Sequence, residues 1–276
     1  MGFTLTGTGG AGSYGVYISD ASNVEIRNGT VRGFYNGVYS WWTSTMTSSV
    51  RVINLRAFSN TNYGIFLYGA NNLVKDCTVS GTAYSGGYGI FANSGSSVLN
   101  SGVSNNAGVG IYATGVISNN IALNNGSVGI NTGGGSTVTG NTSTGNSSIG
   151  IAAGANSVVD GNTASNNTSV GITVSDASTV SHNTAYGNAF QGITVQGGST
   201  VTGNTAKNNG ADGITIGPGS SVIGNSAYYN KNAGILIGSY CLVDQNSAYN
   251  NNQSGGAYPN MTAACGACVY GKNAAP

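Results

Sequence analysis

The sequence predicts an all-β fold, a parallel β-helix of stacked coils, and three observations support this prediction. A Gly-Ile pair recurs every 21 residues from Gly129 to Gly234. Apolar and polar residues alternate within each repeat. An asparagine follows each of those glycines twelve residues later. A fixed period of this length is typical of solenoid proteins.

The alternation of apolar residues predicts the strands of one coil. In Gly171-Ile172-Thr173-Val174 the apolar side chains are two positions apart, which is the period of a strand with one buried face. The same spacing links Ser178 to Val180 and Asn183 to Ala185. We therefore expect three short strands in each coil, and every strand should pair with its equivalent one coil later.

The asparagine column predicts a ladder of side-chain amides inside the helix. Glycine precedes the asparagine in four of the six repeats, and glycine tolerates the positive φ of a tight bend. An inward amide at this position can bond its equivalents one coil away, at the ~4.8 Å spacing of paired strands. We therefore assign a structural role to Asn141, Asn162, Asn183, Asn204, Asn225 and Asn246.

These repeats resemble the right-handed parallel β-helix proteins of the NosD-like and pectate-lyase-like superfamily. The resemblance lies in the Gly-Ile-Thr-Val strands, the Gly-Asn-Thr-Ala bends and the segment from Asn23 to Gly33. It implies a right-handed, single-stranded helix. It does not imply one activity, because the superfamily includes lyases, hydrolases, epimerases and adhesins.

Five less regular repeats precede the six regular ones, so we expect about eleven coils. Their Gly-Val or Gly-Ile pairs begin at Gly15, Gly37, Gly64, Gly89 and Gly110. The period stops after residue 252. The expected domains are therefore a β-helix over residues 1–254, with an incomplete first coil, and a C-terminal capping tail over residues 255–276.

The cysteines of the C-terminal part suggest a cap closed by a disulfide. Cys241 should face inward in the last coil, close enough to bond Cys265 or Cys268. A lone Cys-x-x-Cys pair can also bind metal or act in redox chemistry, but it lacks a second ligand pair here. We assign Cys241, Cys265 and Cys268 a structural role and expect no metal and no cofactor.

Composition limits the classes of partner. Charged residues make up 5% of the chain and the formal net charge is +1. General electrostatic binding of nucleic acid needs a strong basic excess, so we expect no nucleic-acid partner. No apolar run approaches the ~20 residues that span a bilayer, so we expect no membrane span.

The first residues read as part of a longer secreted protein. No signal peptide precedes the segment from Phe3 to Gly7, which resembles the end of a coil whose first part is missing. We expect a mature form or fragment of a secreted or cell-surface protein of bacterial or phage-like type. The uncapped N-terminal end would also offer a route to self-association.

The outward position of the first strand is aromatic in five successive repeats. Exposed aromatic strips mark interaction sites, and aromatic rings are platforms for the apolar faces of sugars. Stacking that stabilises the strands, or burial beneath a missing segment, is the structural alternative. With the aromatic residues at the edge of the strip, the candidate saccharide-binding residues are Tyr17, Tyr39, Trp41, Trp42, Phe66, Tyr68, Phe91 and Tyr112.

Basic residues occupy the same half of the chain. Arg27, Arg51 and Lys75 should lie on the outer face of the second strand in consecutive coils. Glu25 should lie diagonally across from Arg51, in a surface salt bridge. A solvated basic face explains this set most simply, and a site for an acidic polysaccharide is the alternative.

The sequence does not establish catalysis. Hydrolysis of glycosides needs two carboxylates roughly 5 to 10 Å apart, and no acidic pair meets this requirement in the predicted coils. A lyase needs a base and a group that neutralises a uronate carboxylate, for which Tyr39, Tyr68, Arg51 and Lys75 are the candidates. His182 occupies a bend and is expected to lack an acidic partner in the bend of its own coil.

These observations predict an extracellular β-helix that binds polysaccharide along the N-terminal aromatic strip. Two alternatives remain open: a non-catalytic structural or adhesive rod, and a polysaccharide lyase that acts on an acidic glycan. If the protein is an enzyme, a lyase is favoured over a glycoside hydrolase.

Overall fold

The computed structural model describes residues 2–44, 46–256, 258–263 and 267–275. The chain divides into two compact units, Met1–Gly133 and Gly134–Pro276. Among the described residues every regular element is a β-strand. Within each unit, every strand pairs in parallel with its equivalent one coil away, as the repeat predicts.

The first unit has coils of unequal length, and its strands range from three to twelve residues. They are β1 (Phe3–Thr6), β2 (Tyr14–Ser19), β3 (Glu25–Arg32), β4 (Asn36–Trp41), β5 (Arg51–Phe58), β6 (Tyr63–Leu67), β7 (Leu73–Lys75), β8 (Thr78–Ser80), β9 (Tyr88–Leu99), β10 (Gly102–Ser104), β11 (Val109–Ser118), β12 (Ile121–Leu123) and β13 (Ile130–Thr132).

The second unit repeats three strands of three residues in each regular coil. The strands are β14 (Thr137–Thr139), β15 (Thr142–Thr144), β16 (Ile151–Ala153), β17 (Val158–Asp160), β18 (Thr163–Ser165), β19 (Ile172–Val174), β20 (Thr179–Ser181), β21 (Thr184–Tyr186), β22 (Ile193–Val195), β23 (Thr200–Thr202), β24 (Thr205–Lys207), β25 (Ile214–Ile216), β26 (Ser221–Ile223), β27 (Ser226–Tyr228), β28 (Ile235–Ile237), β29 (Leu242–Asp244), β30 (Ser247–Tyr249), β31 (Met261–Ala263) and β32 (Val269–Tyr270).

Identical aliphatic side chains meet in register and form the core. Ile172 faces Ile193 across β19 and β22, and Ile193 faces Ile214 across β22 and β25. All three are fully buried, whereas Thr173, next to Ile172, is part-exposed on the opposite wall. The predicted assignment of alternating residues to inner and outer walls is confirmed at these positions.

The predicted asparagine ladder is present in the second unit. The side-chain oxygen of Asn204 accepts bonds from the backbone N–H of Asn183 at 3.0 Å and from its Nδ2 at 3.0 Å. Asn183 Nδ2 also donates to the Val159 carbonyl at 2.8 Å. Each buried amide therefore has partners on both sides, as buried polar groups require. A second ladder continues the pattern through Asn146, Asn167, Asn188, Asn209, Asn230 and Asn251.

The repeat glycine is required by a close approach between coils. A Cβ atom at Gly171 would lie 2.6 Å from Asn188 Nδ2 and 2.6 Å from the Gly192 carbonyl oxygen. Gly192 and Gly213 meet the same obstruction one and two coils later. Glycine recurs at this position because the space is filled by the next coil.

The C-terminal residues extend the ladders although the sequence period has ended. Asn260 Oδ1 accepts from Asn251 Nδ2 at 3.2 Å, and Asn273 Oδ1 accepts from Asn246 Nδ2 at 3.0 Å. β31 pairs with β28, and β32 pairs with β29. The described part of residues 255–276 thus adds a further, irregular coil, and its role as a cap stays a prediction.

The prediction that Cys241 forms a disulfide is wrong. Its side chain faces inward as expected and is buried, but its thiol is free. The backbone N–H of Cys241 donates to Cys268 Sγ at 3.2 Å instead of a disulfide joining the two residues. Cys265 lies outside the described residues. Cys77 is a second buried free thiol, and burial raises its pKa to about 11.

Candidate functional site

Five aromatic rings form a stack along the first strand of successive coils in the first unit. The ring centres of Tyr39 and Phe66 are 5.0 Å apart, and those of Phe66 and Phe91 are 4.4 Å apart. Tyr17 stacks on Tyr39 at 6.1 Å, and Tyr112 stacks on Phe91 at 5.1 Å. The structure therefore brings these five predicted residues together in one column.

A second set of rings flanks this column and was missed by the sequence analysis. The Tyr63 ring centre is 4.5 Å from Phe66, and those of Tyr14 and Tyr88 are 5.3 Å from Tyr39 and Phe91 respectively.

Strict alternation places Tyr63 on the inner wall, because it stands two residues before the inward Ile65. In the structure Gly64 and Ile65 are both buried, so the alternation shifts at the glycine. The available signal was the tyrosine that precedes the repeat glycine in three of the first five repeats, at Tyr14, Tyr63 and Tyr88.

Two of the predicted edge residues, Trp41 and Tyr68, lie beside the column. The Trp41 ring centre is 6.1 Å from Tyr39 and 4.5 Å from Tyr68. Trp42 follows the end of β4 and is 38% exposed. We call the eight predicted residues together with the flanking tyrosines the aromatic face: Tyr14, Tyr17, Tyr39, Trp41, Trp42, Tyr63, Phe66, Tyr68, Tyr88, Phe91 and Tyr112.

The centre of the aromatic face is less exposed than predicted. Phe66 is only 7% exposed, because rings cover both of its faces. Tyr17 at one end is 48% exposed, and Trp41 at the edge is 36% exposed. Ring surface that a ligand can reach therefore lies at the Tyr17 end and along the tryptophan edge.

Asp20 fixes the loop that carries Trp42. The backbone N–H groups of Thr43 and Ser44 donate to Asp20 Oδ1 at 2.8 and 2.9 Å. Asp20 adopts a positive φ of 51°, which aspartate tolerates better than most residues. On the far side of the loop, Thr47 Oγ1 donates to the Trp41 carbonyl at 2.7 Å. The tryptophan edge is therefore held by hydrogen bonds at both ends of its loop.

Partial burial raises the pKa of two tyrosine hydroxyls of this face. Desolvation raises the pKa of Tyr39 to about 12, and repulsion from Tyr14, Tyr63 and Tyr17 adds to the effect. Desolvation likewise raises the pKa of Tyr88. At neutral pH the hydroxyls of Tyr39 and Tyr88 therefore keep their protons and can donate hydrogen bonds.

The basic residues do not form the predicted column. Arg27 and Lys75 share a column with Ile53 between them, but Arg51 lies in the column of Glu25, directly opposite it. The register is set by the buried Val52, which faces Ile26, so Arg51 precedes the inward residue instead of following it.

The two cations predicted for a lyase site, Arg51 and Lys75, already contact acceptor groups of neighbouring residues. Arg51 Nε lies 3.1 Å from a Glu25 oxygen, and its Nη1 donates to Asn23 at 2.6 Å. The Lys75 ammonium lies 3.9 Å from Asp76. Tyr39 and Tyr68 both contact Phe66 on the aromatic face. Arg51 and Lys75 lie on other strands, β5 and β7.

His182 has an acidic partner that the sequence analysis did not identify. Its Nδ1 lies 2.8 Å from Asp160 Oδ1, one coil earlier, and Ser181 Oγ donates to the same oxygen at 2.6 Å. These two hydrogen bonds, that from Ser181 first, hold the pKa of Asp160 below its ordinary value. The signal was the 21-residue period itself, which makes His182 the diagonal neighbour of Asp160.

Within residues 2–44, 46–256, 258–263 and 267–275, no group of three or more His, Cys, Asp or Glu side chains has the arrangement of a metal site. In the same ranges, no helical segment has the length and apolar character needed to cross a lipid bilayer.

Comparison with known families agrees with the stacked parallel coils. The model of the right-handed β-helix region matches residues 4–116 and 113–206, which together cover most of the chain. The chain belongs to the right-handed β-helix family. A comparison with curated proteins finds no relative of this β-helix protein.

Several solved structures share the fold of this β-helix protein. The periplasmic alginate epimerase AlgG matches with a TM-score of 0.71 and 15% identity, over 94% of this chain and 76% of the other. The A-module of the Azotobacter vinelandii mannuronan C-5 epimerase AlgE4 matches with a TM-score of 0.63 and 14% identity, over 96% and 87%. The Dettilon tailspike protein matches with a TM-score of 0.54 and 16% identity, over 92% and 55%.

Proposed function

We propose that this protein is an extracellular β-helix that binds polysaccharide on the aromatic face. The observation that carries the proposal is the set of accessible rings at the Tyr17 end and along the Trp41 edge. Aromatic rings bury large apolar areas and suit the apolar faces of sugars. Structural relatives named as an alginate epimerase and a mannuronan epimerase support a carbohydrate partner.

The accessible rings favour a ligand that runs along the edge of the ring stack. The middle of the stack is closed to face-on contact, because Phe66 lies between Tyr39 and Phe91. Tyr17 and Trp41 offer ring surface at the margin, and the Asp20 contacts hold the backbone that follows Trp42. A preorganised edge loses less conformational entropy when a ligand binds.

A lyase acting on an acidic glycan is a weaker proposal. Its base would have to lose a proton near neutral pH, whereas the pKa of Tyr39 is raised to about 12. The cations that would neutralise a uronate carboxylate, Arg51 and Lys75, already contact Glu25 and Asp76. We therefore propose binding as the primary activity of this face.

A non-catalytic structural or adhesive rod is the second candidate. It is favoured by the burial of Phe66 within the stack, because rings that cover one another stabilise parallel strands without a ligand. The two candidate functions differ in the role of the accessible rings, which bind glycan in the first and bind no ligand in the second. If the first candidate holds, removal of the Tyr17 and Trp42 rings should weaken glycan binding to the aromatic face, and if the second holds, it should change no binding.

Affinity electrophoresis against a panel of neutral and acidic polysaccharides tests the proposal. We expect the wild-type protein to bind at least one polymer. The affinity of the double variant Tyr17→Ala/Trp42→Ala for that polymer should be lower by about tenfold or more. Phe190→Ala is the matched control, because Phe190 is an exposed aromatic residue in the second unit. Equal affinity of the double variant and the wild type would contradict the proposal, and absence of any binding by the wild type would favour the rod.

Product analysis of the same mixtures tests for catalysis. Newly formed unsaturated sugar ends absorb ultraviolet light and would establish a lyase. We expect the polysaccharide to be recovered unchanged.

A further inference from the structure

A column of side chains on the third strand of the second unit lies outside the aromatic face. Tyr186, Lys207, Tyr228 and Tyr249 are register partners in successive coils, in β21, β24, β27 and β30. The Lys207 ammonium lies 5.5 Å from the centre of the Tyr186 ring, and the rings of Tyr228 and Tyr249 are stacked at 5.2 Å. We call these four residues the lysine–tyrosine column.

Lys207 has no counter-charge among the described residues. The ion pairs found there involve Arg27, Arg51, Lys75 and His182, and none involves Lys207. Its ammonium contacts the face of Tyr186, which attracts a cation but does not neutralise it. The positive charge is therefore available to an external anion.

The phenol groups on either side of Lys207 are also available. No described residue forms a hydrogen bond with the hydroxyl of Tyr186 or of Tyr228, and both side chains are part-exposed. A phenol O–H donates to a carboxylate, and an ammonium forms a charge-assisted bond with it. Three donors therefore follow one another along one column, on three successive coils.

We infer that the lysine–tyrosine column binds a polysaccharide whose sugar units carry carboxylate groups. The Lys207 ammonium would bind one carboxylate, and the hydroxyls of Tyr186 and Tyr228 would donate to the same sugar or to its neighbours. The four coils extend over about 14 Å at the spacing of paired strands, which suits a polymer better than a small anion.

Other anionic partners fit this column less well. Nucleic acid carries one phosphate charge per nucleotide and needs several cations in a row, whereas this column holds one. A neutral sugar could pack against the tyrosines but would leave the lysine charge unused. The combination of one cation with aromatic hydroxyls favours the acidic sugar.

The test is made in the Tyr17→Ala/Trp42→Ala variant, so that the aromatic face does not contribute. Binding of polygalacturonate and of polymannuronate is measured by isothermal titration calorimetry. We expect Lys207→Gln to weaken the affinity about fivefold or more, and Lys207→Arg to retain most of it. Lys272→Gln is the control, because it removes the same charge from an exposed lysine near the C-terminus.

Three further measurements separate binding from folding, a carboxylate from an uncharged ester, and a carboxylate from a sulfate. Tyr228→Phe removes only a hydroxyl, and we expect weaker binding with an unchanged melting temperature. The fully methyl-esterified polygalacturonate should bind equally to the Lys207→Gln variant and to its parent. The inference would be overturned by failure of both polyuronates to bind, by an unchanged affinity in Lys207→Gln, or by tighter binding of dextran sulfate with the same dependence on Lys207.

Discussion

Asp160 and His182 belong to successive coils, and Nδ1 of His182 lies 2.8 Å from Oδ1 of Asp160. Ser181 Oγ donates to the same carboxylate oxygen at 2.6 Å. The contact shows how a coil of fixed length makes partners of residues 21 or 22 positions apart. Serine binds the carboxylate and not the imidazole, so the cluster lacks the bond between serine and histidine that activates a serine nucleophile.

The first prediction concerns the pH dependence of this cluster. The lowered pKa of Asp160 means that its stabilising contribution is present above the ordinary carboxyl pKa of about 3.9 and is lost as the pH falls through the folded-state value. Ser181→Ala removes the largest cause, so we expect the pKa of Asp160 to rise. Carboxyl carbon NMR titration measures it, with Thr202→Ala as the control. An unchanged titration in Ser181→Ala would contradict this explanation.

The second prediction concerns Tyr39 at alkaline pH. Its raised pKa means that the folded state keeps the phenol proton above the ordinary value of about 10, so stability falls as the pH rises beyond that value. We expect Tyr39→Phe to reduce this alkaline loss of stability. The step near pH 12 in phenolate absorbance should become smaller in this variant, because the contribution of Tyr39 is lost, whereas the exposed-residue control Tyr240→Phe should keep its full height. An unchanged step in Tyr39→Phe would contradict the raised pKa of Tyr39.

The third prediction tests the asparagine ladder. Asn183→Ala removes the acceptor of Asn162 and the donor to the Val159 carbonyl, and so leaves buried groups unpaired. We expect the free energy of unfolding to fall by about 3 kcal/mol, measured by urea denaturation. Thr184→Ala, a part-exposed neighbour, should change it by about 0.5 kcal/mol or less. Similar values for both variants would contradict a structural role for the ladder.

The fourth prediction tests the close approach at the repeat glycine. The added methyl group of Gly171→Ala would collide with the Asn188 side chain and the Gly192 carbonyl. We expect a loss of about 1–3 kcal/mol in the free energy of unfolding. Gly102→Ala is the control, because a Cβ there meets open space. A neutral effect of Gly171→Ala would mean that neighbouring coils can move apart at little cost.

The regular coils could be predicted from the sequence because each residue meets its own kind one coil away. The period alone places Ile172 against Ile193 and Asn183 against Asn204. Strict alternation is less informative next to the repeat glycine. Gly64 and Ile65 are both buried, as are Gly171 and Ile172 in a regular coil, so the alternation shifts at this glycine. This shift is the reason why the sequence did not predict Tyr63 as an outward residue.

The candidate site was predicted in composition but not in accessibility. The column of Tyr17, Tyr39, Phe66, Phe91 and Tyr112 was found from one position of the repeat. The alternation of apolar and polar residues assigns each residue to the inner or the outer wall. It does not indicate whether neighbouring rings on the same wall cover one another. The burial of Phe66 by its own neighbours therefore appears only in the structure.

We expect polysaccharide to bind at the accessible margin of the aromatic face. Trp41 and Trp42 are the two tryptophans of the chain, so tryptophan fluorescence reports on this margin alone. A titration with the polysaccharide that binds in electrophoresis should produce a saturable change in emission and protect both tryptophans from iodide quenching. Saturable binding with unchanged emission and unchanged iodide quenching would contradict this expectation.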